Sequence, residues 1–392
     1  MKNNRISSLH FSELKTKERG QNSPLQEIRV LHVVGAFLKG GTESFILNYF
    51  EALRKDNVTF DVYCFNVVDE EQKKRLIALG GNLYQGLAPS KKGLFEAARH
   101  FKKFLKEHEY YHVVHCNANF DSALYARIAK RKKIATIVCH AHDTLTGIRF
   151  NFAQKIVMSF KRATCRLNAD KFLACSEEAG EDIFGTRFFK KNGVVIKNAI
   201  NPKLFQSIKE ENLDQLYADY HIPRDKIILG NISRFEDKKN QQFLIHLFDL
   251  LSQGSDKYYL VLGGVDGGTL SSIKQLAKHQ DRILFIGPRN DVANWLHLFD
   301  YFLMPSLFEG FGIAALESQL AGCPTIVSNN FPQTIDLEIG LVKYLPLDVH
   351  LWADGLSSFQ KPNVNDEHIY KALLARGLEI NSCAAELLNI YK

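Results

Sequence analysis

A chain of 392 residues is longer than one hydrophobic core usually serves, so two domains are expected. Its hydrophobic fraction of 45% is that of an ordinary globular protein, and no apolar run approaches the roughly 18 residues of a membrane-spanning helix. A net charge of +7 does not point to nucleic acid but suits an anionic membrane surface or phosphorylated substrates, and seven scattered cysteines without metal spacing read as reduced thiols of a cytosolic protein.

Residues 1–27 are polar, lack the apolar core of a secretory signal, and read as a loose tail. The apolar run 28–34 reads as a buried strand. A glycine-containing loop, 35–41, leads into an apolar-periodic helix over 42–52. Strand, glycine-rich loop and helix are the layout of a nucleotide-binding half of a doubly wound sheet, although G-x-G-x-x-G is absent. Gly40 and Gly41 fit either a ligand-approached loop or a tight turn. Strands are then expected at 58–65, 111–115 and 134–139, and helices at 69–79, 93–108 and 121–131. The sequence His140-Ala141-His142-Asp143 follows the strand at 134–139. A histidine beyond a strand's carboxyl end points into the crevice where open α/β sheets bind ligands. No further ligands cluster near this His-x-His pair to support zinc.

Residues 148–171 alternate Arg149, Lys155, Lys161, Arg162 and Arg166 with Phe150, Phe152, Ile156, Val157, Phe160 and Leu167. This is a basic amphipathic helix, suited to an anionic membrane or to a solvated basic face, and 91–106 is similar. A strand over 172–176 runs into a serine-started helix, and 194–201 closes the first domain.

The second half repeats the alternation. A strand at 226–232 precedes Ser233-Arg234-Phe235-Glu236-Asp237-Lys238-Lys239-Asn240. Two cations beyond a strand end can neutralise a leaving pyrophosphate or simply form surface salt bridges. Strands are expected at 258–262 and from 283, the latter followed by Arg289. Asp291 is expected to cap a helix starting at Val292, and Trp295 to be core packing. The apolar run 301–304 ends at Pro305 and leads into Ser306-Leu307-Phe308-Glu309-Gly310-Phe311-Gly312, with a helix expected from about 311 to 322. The bare backbone at Gly310 and Gly312 suits a phosphate, with the Glu309 and Glu317 carboxylates reaching hydroxyls on either side. The same pattern also fits an ordinary strand–loop–helix unit. A strand at 325–328 and helices at 367–378 and 382–391 follow.

Glu-Gly-Phe-Gly, with Glu317 eight positions after Glu309 and Ala-Gly-Cys-Pro beyond, resembles the donor-site signature of the retaining glycosyltransferases of family 4. Arg234 and Lys239 match the cations of that pattern, with Ser233 in place of its usual glycine. Gly40-Gly41-Thr42-Glu43 resembles the Gly-Gly-x-Glu opening of many members. Near residue 200, Ala199 and Asn201 replace the usual Asn-Gly-Ile-Asp residues.

The resemblance spans roughly residues 29–328 and implies a GT-B fold, two Rossmann-like α/β domains facing across a cleft. An acceptor-side domain over 28–200, with a helix at 379–392 packing back on it, is expected beside a nucleotide-sugar domain over 201–378. It implies sugar transfer from a nucleotide-sugar, commonly a UDP-sugar, to a hydroxyl of a saccharide, plausibly lipid-linked, in cell-surface or exopolysaccharide biosynthesis. Arg234, Lys239 and the amides at Gly310, Phe311 and Gly312 are then expected to hold the departing diphosphate. Glu309 orients the donor sugar, Glu317 binds ribose hydroxyls, and the backbone around Arg289 recognises the base. Gly40 and Gly41 border the phosphates, and His142, with His140 as second choice, contacts the sugar. No metal is expected, and no cofactor beyond the nucleotide-sugar. A cytoplasmic location is expected, peripheral on the membrane where the basic helices dock. A non-catalytic GT-B partner subunit and a sugar-nucleotide epimerase are the competing readings.

Overall fold

The computed structural model describes residues 27–38, 40–145, 150–206 and 208–392. Residues 1–26 of the tail expected over 1–27, and residues 148 and 149 of the expected basic helix, lie outside the described residues.

The first sheet contains β1 (Ile28–Val34), β2 (Val58–Cys64), β3 (Leu83–Gln85), β4 (Val113–Cys116), β5 (Thr136–Ala141), β6 (Lys171–Ala174) and β7 (Gly193–Val195). All its pairings are parallel, in the order β3-β2-β1-β4-β5-β6-β7. The second contains β8 (Ile227–Ile232), β9 (Tyr258–Gly263), β10 (Ile283–Gly287), β11 (Tyr301–Met304), β12 (Thr325–Ser328) and β13 (Val342–Leu345). It is also parallel, in the order β10-β9-β8-β11-β12-β13. Helices cover both faces of each sheet, so the central strands read as continuous apolar runs rather than alternating ones. Two Rossmann-like α/β units result, which is the fold class expected from the sequence.

The expected central strands and their helices form within a few residues of their sequence ranges. The edge strands β3 and β13, three and four residues long, carry too little pattern to stand out. The helices Thr186–Asn192, Glu210–Asp219, Leu270–Leu276 and Val349–Ser358 were likewise not anticipated. The helix expected from 311 runs over Ile313–Leu320, because Gly312 at φ +83° is left-handed and serves as its N-cap. Residues 310–312 are therefore loop.

The two units are joined twice at one point. Ile200 N–H donates to the Leu378 carbonyl at 3.0 Å, and Ile380 N–H donates to the Ile200 carbonyl at 3.2 Å. The helix Ile380–Tyr391 then packs on the helix Gly41–Leu53. It sends Ile380, Ala384, Leu387 and Tyr391 into the first unit's core.

Candidate functional site

The second unit supplies a charged pair at the carboxyl ends of β8 and β11. A short 3-10 turn, Asp237–Lys239, places the Lys239 Nζ 2.5 Å from Glu309 Oε1. Ser306 Oγ donates to the same oxygen at 2.8 Å, and the Glu309 side chain is 8% exposed. The two loops are tied together independently of that ion pair. Asn240, left-handed at φ +55°, donates from Nδ2 to the Pro305 carbonyl at 3.1 Å, and Leu307 N–H donates to the Lys238 carbonyl at 2.8 Å. Carboxylate and ammonium are thus positioned as a unit, which limits the reorganisation needed when a ligand arrives.

Gly310 and Gly312 serve different purposes. A Cβ on Gly312 would stand 2.1 Å from the Phe331 ring, so that glycine is demanded by its left-handed φ and by packing. A Cβ on Gly310 would stand 3.1 Å from the His142 carbonyl, where the two units meet. The Phe311 side chain is packed in the second unit's core, leaving only its main chain to a ligand. Glu317 is half-buried on the helix beyond. Burial pushes its carboxyl up to about 7, opposed by the Arg75 charge from the first unit's helix Glu70–Ala78.

Arg289 is fully engaged. Its Nε and Nη2 donate to both Asp291 carboxylate oxygens at 2.8 and 2.7 Å, and Nη1 donates to Tyr220 Oη at 2.6 Å. Asp291 therefore does not cap the helix Val292–Leu298 as the sequence suggested, because the guanidinium fork takes both its oxygens. Trp295 is fully buried, as expected. Asn290 meets Glu71 Oε1 across the cleft.

The first unit supplies mostly neutral groups. Gly40 and Gly41 lead the helix Gly41–Leu53, and a Cβ on Gly40 would lie 3.7 Å from Arg234 Nη2. Arg234 thus reaches the first unit's loop. Glu43 is buried there; its carboxylate accepts the Leu38 N–H at 3.3 Å, and burial pushes its carboxyl up to about 7 against the pull of Arg234.

His142 follows β5 and is buried, as are His32, His115 and His140. His115 Nδ1 lies 2.7 Å from Tyr391 Oη, and its Nε2 lies 3.1 Å from His140 Nδ1, so His140 belongs to a structural chain. Asn117 organises the other branch. Its Nδ2 donates to the His115 carbonyl at 2.9 Å and faces His32 Nδ1 at 3.1 Å. With both amide hydrogens committed, Asn117 Oδ1 must accept from His142 Nε2, 2.9 Å away. A neutral His142 then carries its proton on Nε2 and presents Nδ1 as an acceptor, and Nδ1 has no partner. Burial drives the His142 pKa down to about 4, so the ring is neutral at physiological pH.

The structure therefore brings together Gly40, Arg234, Lys239, Glu309, Gly310 and His142 where the units meet. The Arg289 side chain is committed elsewhere. Asn117, Glu43 and Arg75 were not singled out from sequence. Glu43 sits in a motif already noted, but Asn117 and Arg75 carry no local signal, because their partners come from distant strands and the other unit. Among the described residues no group of three or more His, Cys, Asp or Glu is arranged to hold a metal ion.

The sequence family described as Glycosyltransferase Family 4 matches residues 39–204, and that described as Glycosyl transferases group 1 matches residues 214–340. A Bacillus subtilis protein named as a glycosyltransferase, EpsF, is 28% identical over 93% of this chain and 96% of its own length. An Escherichia coli UDP-Gal:alpha-D-GlcNAc-diphosphoundecaprenol alpha-1,3-galactosyltransferase is 24% identical over 77% of this chain and 80% of its own. Among solved structures, Anabaena HepE in complex with UDP and glucose superposes with a TM-score of 0.74 at 17% identity, over 93% of this chain and 99% of that one. The lipopolysaccharide glycosyltransferase WaaG does so with a TM-score of 0.69 at 16% identity, over 93% and 99%. With its two matched halves and the shared two-sheet fold, this chain belongs to glycosyltransferase family 4, of the GT-B fold.

Proposed function

We propose that this glycosyltransferase moves a hexose or N-acetylhexosamine from a UDP-sugar to a hydroxyl of a saccharide acceptor, with retention of anomeric configuration. The acceptor is a lipid-linked saccharide in cell-surface or exopolysaccharide biosynthesis. The observation that carries this reading is the convergence of Arg234, the Lys239–Glu309 pair and the bare backbone of Gly40 and Gly310 at the junction of the two units. Two cations stand beside glycine loops that the two units bring close together, an arrangement suited to a diphosphate. HepE, solved with UDP and glucose, and the galactosyltransferase whose name gives UDP-Gal and a diphosphoundecaprenol acceptor, support the donor and acceptor classes.

In this mechanism the bond from the anomeric carbon to the diphosphate oxygen breaks as Arg234, Lys239 and the amides at residues 310–312 take up the developing charge. The acceptor oxygen bonds to the anomeric carbon on the same face, and its proton passes to the departing phosphate. Glu309 orients sugar hydroxyls from its fixed position beside Lys239 and is not a covalent nucleophile. His142 accepts a sugar hydroxyl through Nδ1. Glu317 binds ribose hydroxyls, and the main chain around Arg289 reads the base. The cations neutralise the diphosphate, so no metal is required and no cofactor beyond the donor. Such an acceptor places the enzyme in the cytoplasm, peripheral on the membrane.

Purified protein incubated with UDP-, GDP- and ADP-sugars, with and without membrane lipid extract, tests this. UDP release stimulated by extract and lost in Glu309→Ala is expected. No release from any donor, together with no thermal shift on adding nucleotide, would remove the reading.

A further inference from the structure

The helix Phe152–Asn168 buries one side chain, Cys165, along its 17 residues. Its second half is anchored: Arg162 Nε donates to the Ile183 carbonyl at 3.0 Å, and Arg166 Nε donates to the Phe184 carbonyl at 2.9 Å. Its start is fixed by a reciprocal cap between Asn151 and Gln154. Between these, Phe152, Ile156, Phe160, Ala163 and Leu167 recur at spacings of four, four, three and four, which is a single stripe of a helix. A helix of a globular protein turns such a stripe to the core. Here it faces outward: Phe152 is 79% exposed, Phe160 66% and Leu167 80%.

The surroundings of the stripe are cationic. Residues 150–169 contain no Asp or Glu, and by helical spacing Lys155 and Arg166 flank one side of the stripe. Lys161 pairs with Asp121, and Arg162 and Arg166 bond main-chain carbonyls, Arg162 also feeling the Asp182 charge. A second outward apolar pair, Leu94 and Phe95, the latter 81% exposed, opens the helix Leu94–Glu107 directly after the exposed Lys91 and Lys92. The helix Ser122–Arg131 packs against both, so all three share one face of the first sheet. Helices that follow parallel strands begin at the strands' carboxyl edge, the edge that carries His142.

We propose that the helices Phe152–Asn168 and Leu94–Glu107 dock the protein on an anionic lipid bilayer. The apolar stripe enters the boundary between headgroups and acyl chains, and Lys91, Lys92 and Lys155 meet lipid phosphates. Charge selects this occupant, because a second copy of the chain would bring two cationic faces together. Docking here brings the His142 edge of the cleft close to the headgroup layer. The proposal deepens the reading of a membrane-held acceptor, but the surface exists whatever the donor.

The test is co-sedimentation of the full chain, without nucleotide, on vesicles of phosphatidylglycerol and phosphatidylcholine or of phosphatidylcholine alone. Salt-sensitive pelleting on the anionic vesicles is expected. Phe152→Ser with Phe160→Ser should lower the partition coefficient about tenfold or more. Lys155→Glu should weaken anionic binding alone, and Leu351→Ser with Leu374→Ser, on the second unit, should change nothing. Failure of the wild type to pellet on anionic vesicles, or equal loss in the second-unit control, would overturn the proposal. So would a dimer by light scattering that Phe152→Ser with Phe160→Ser dissolves while vesicle binding is absent. Transfer to a water-soluble acceptor, measured beside it, should survive in the Phe152 and Phe160 variant, which separates loss of docking from failure of the enzymatic reading.

Discussion

The two sheets superimpose in order: β1 corresponds to β8, β4 to β11 and β5 to β12. The loops at equivalent places carry opposite chemistry. After β1 stand two bare glycines, and after β8 stand Arg234 and Lys239. After β4 comes Asn117, an amide with both hydrogens committed; after β11 comes Glu309, an anion held by Lys239 and Ser306. The fold fixes where a ligand sits, and side-chain burial decides which unit can hold charge there. The first unit contributes His142 as a neutral acceptor, and the second contributes the cations Arg234 and Lys239 and the Glu309 carboxylate. Each prediction below attacks one side of that division.

The largest effect is expected on the charged side. Glu309→Ala and Lys239→Ala should each lower kcat/KM by about 10²–10³-fold, or about 3–4 kcal/mol, with little change in Tm. Because the two act as one unit, the double variant should lose little more than either single one. Additive losses would show that the ion pair is not the working element.

The neutral side should reveal itself in acid. A histidine whose folded pKa is depressed leaves the unfolded chain binding more protons, so stability falls as pH drops from the unfolded value towards the folded one. With His142 lowered from 6.5 to about 4, roughly 3 kcal/mol should be lost over that window. His32, lowered to about 3, adds in the same direction. His115 and His140 act likewise, while Glu43 and Glu317, raised to about 7, act in the opposite direction. In urea unfolding at pH 7.5, 6 and 4.5, His142→Gln should therefore lose less stability towards acid than the wild type.

Asn117 connects fold to site and should come next. Asn117→Leu removes the acceptor that fixes the His142 tautomer, and kcat is expected to fall about 10–50-fold with KM for the donor little changed. Asn117→Asp keeps an acceptor for His142 Nε2 and should recover part of the loss. The spectroscopic check is the ring nitrogen shifts of His142, which should report Nε2 protonation in the wild type and a mixture in Asn117→Leu.

The smallest effect is on nucleotide affinity. The Glu317 carboxyl, raised to about 7, must be ionised to accept two ribose hydroxyls. UDP binding by calorimetry should therefore tighten severalfold from pH 6 to pH 8 in the wild type beyond any change seen in Glu317→Gln. Parallel pH profiles in the two proteins would remove the ribose role.

Much of the layout was legible before the structure. The apolar run at β1 and the charged or glycine-rich loops after β1, β8 and β11 announce themselves because parallel strands are buried on both faces and their carboxyl ends must open to a ligand. What failed to show has specific causes. Asp291 had a capping position, but the Arg289 fork two residues away, itself held by Tyr220 far along the chain, offered a better partner. Asn117 takes its meaning from His32, His115 and His142, which three strands bring together. The pattern over 152–168 shows an amphipathic helix but not which way its apolar stripe turns, since that depends on what its neighbours leave uncovered.

The double crossing at Ile200 and Ile380 also bears on how the protein is made. Chains emerging from the ribosome generally complete their N-terminal unit first. Here Leu387 and Tyr391 fill the core beneath the helix Gly41–Leu53, and they are translated after the whole second sheet. The second unit can close while the first still lacks one wall. Released chains ending at residue 379 should therefore hold a protease-resistant second unit beside a first unit that remains open to cleavage.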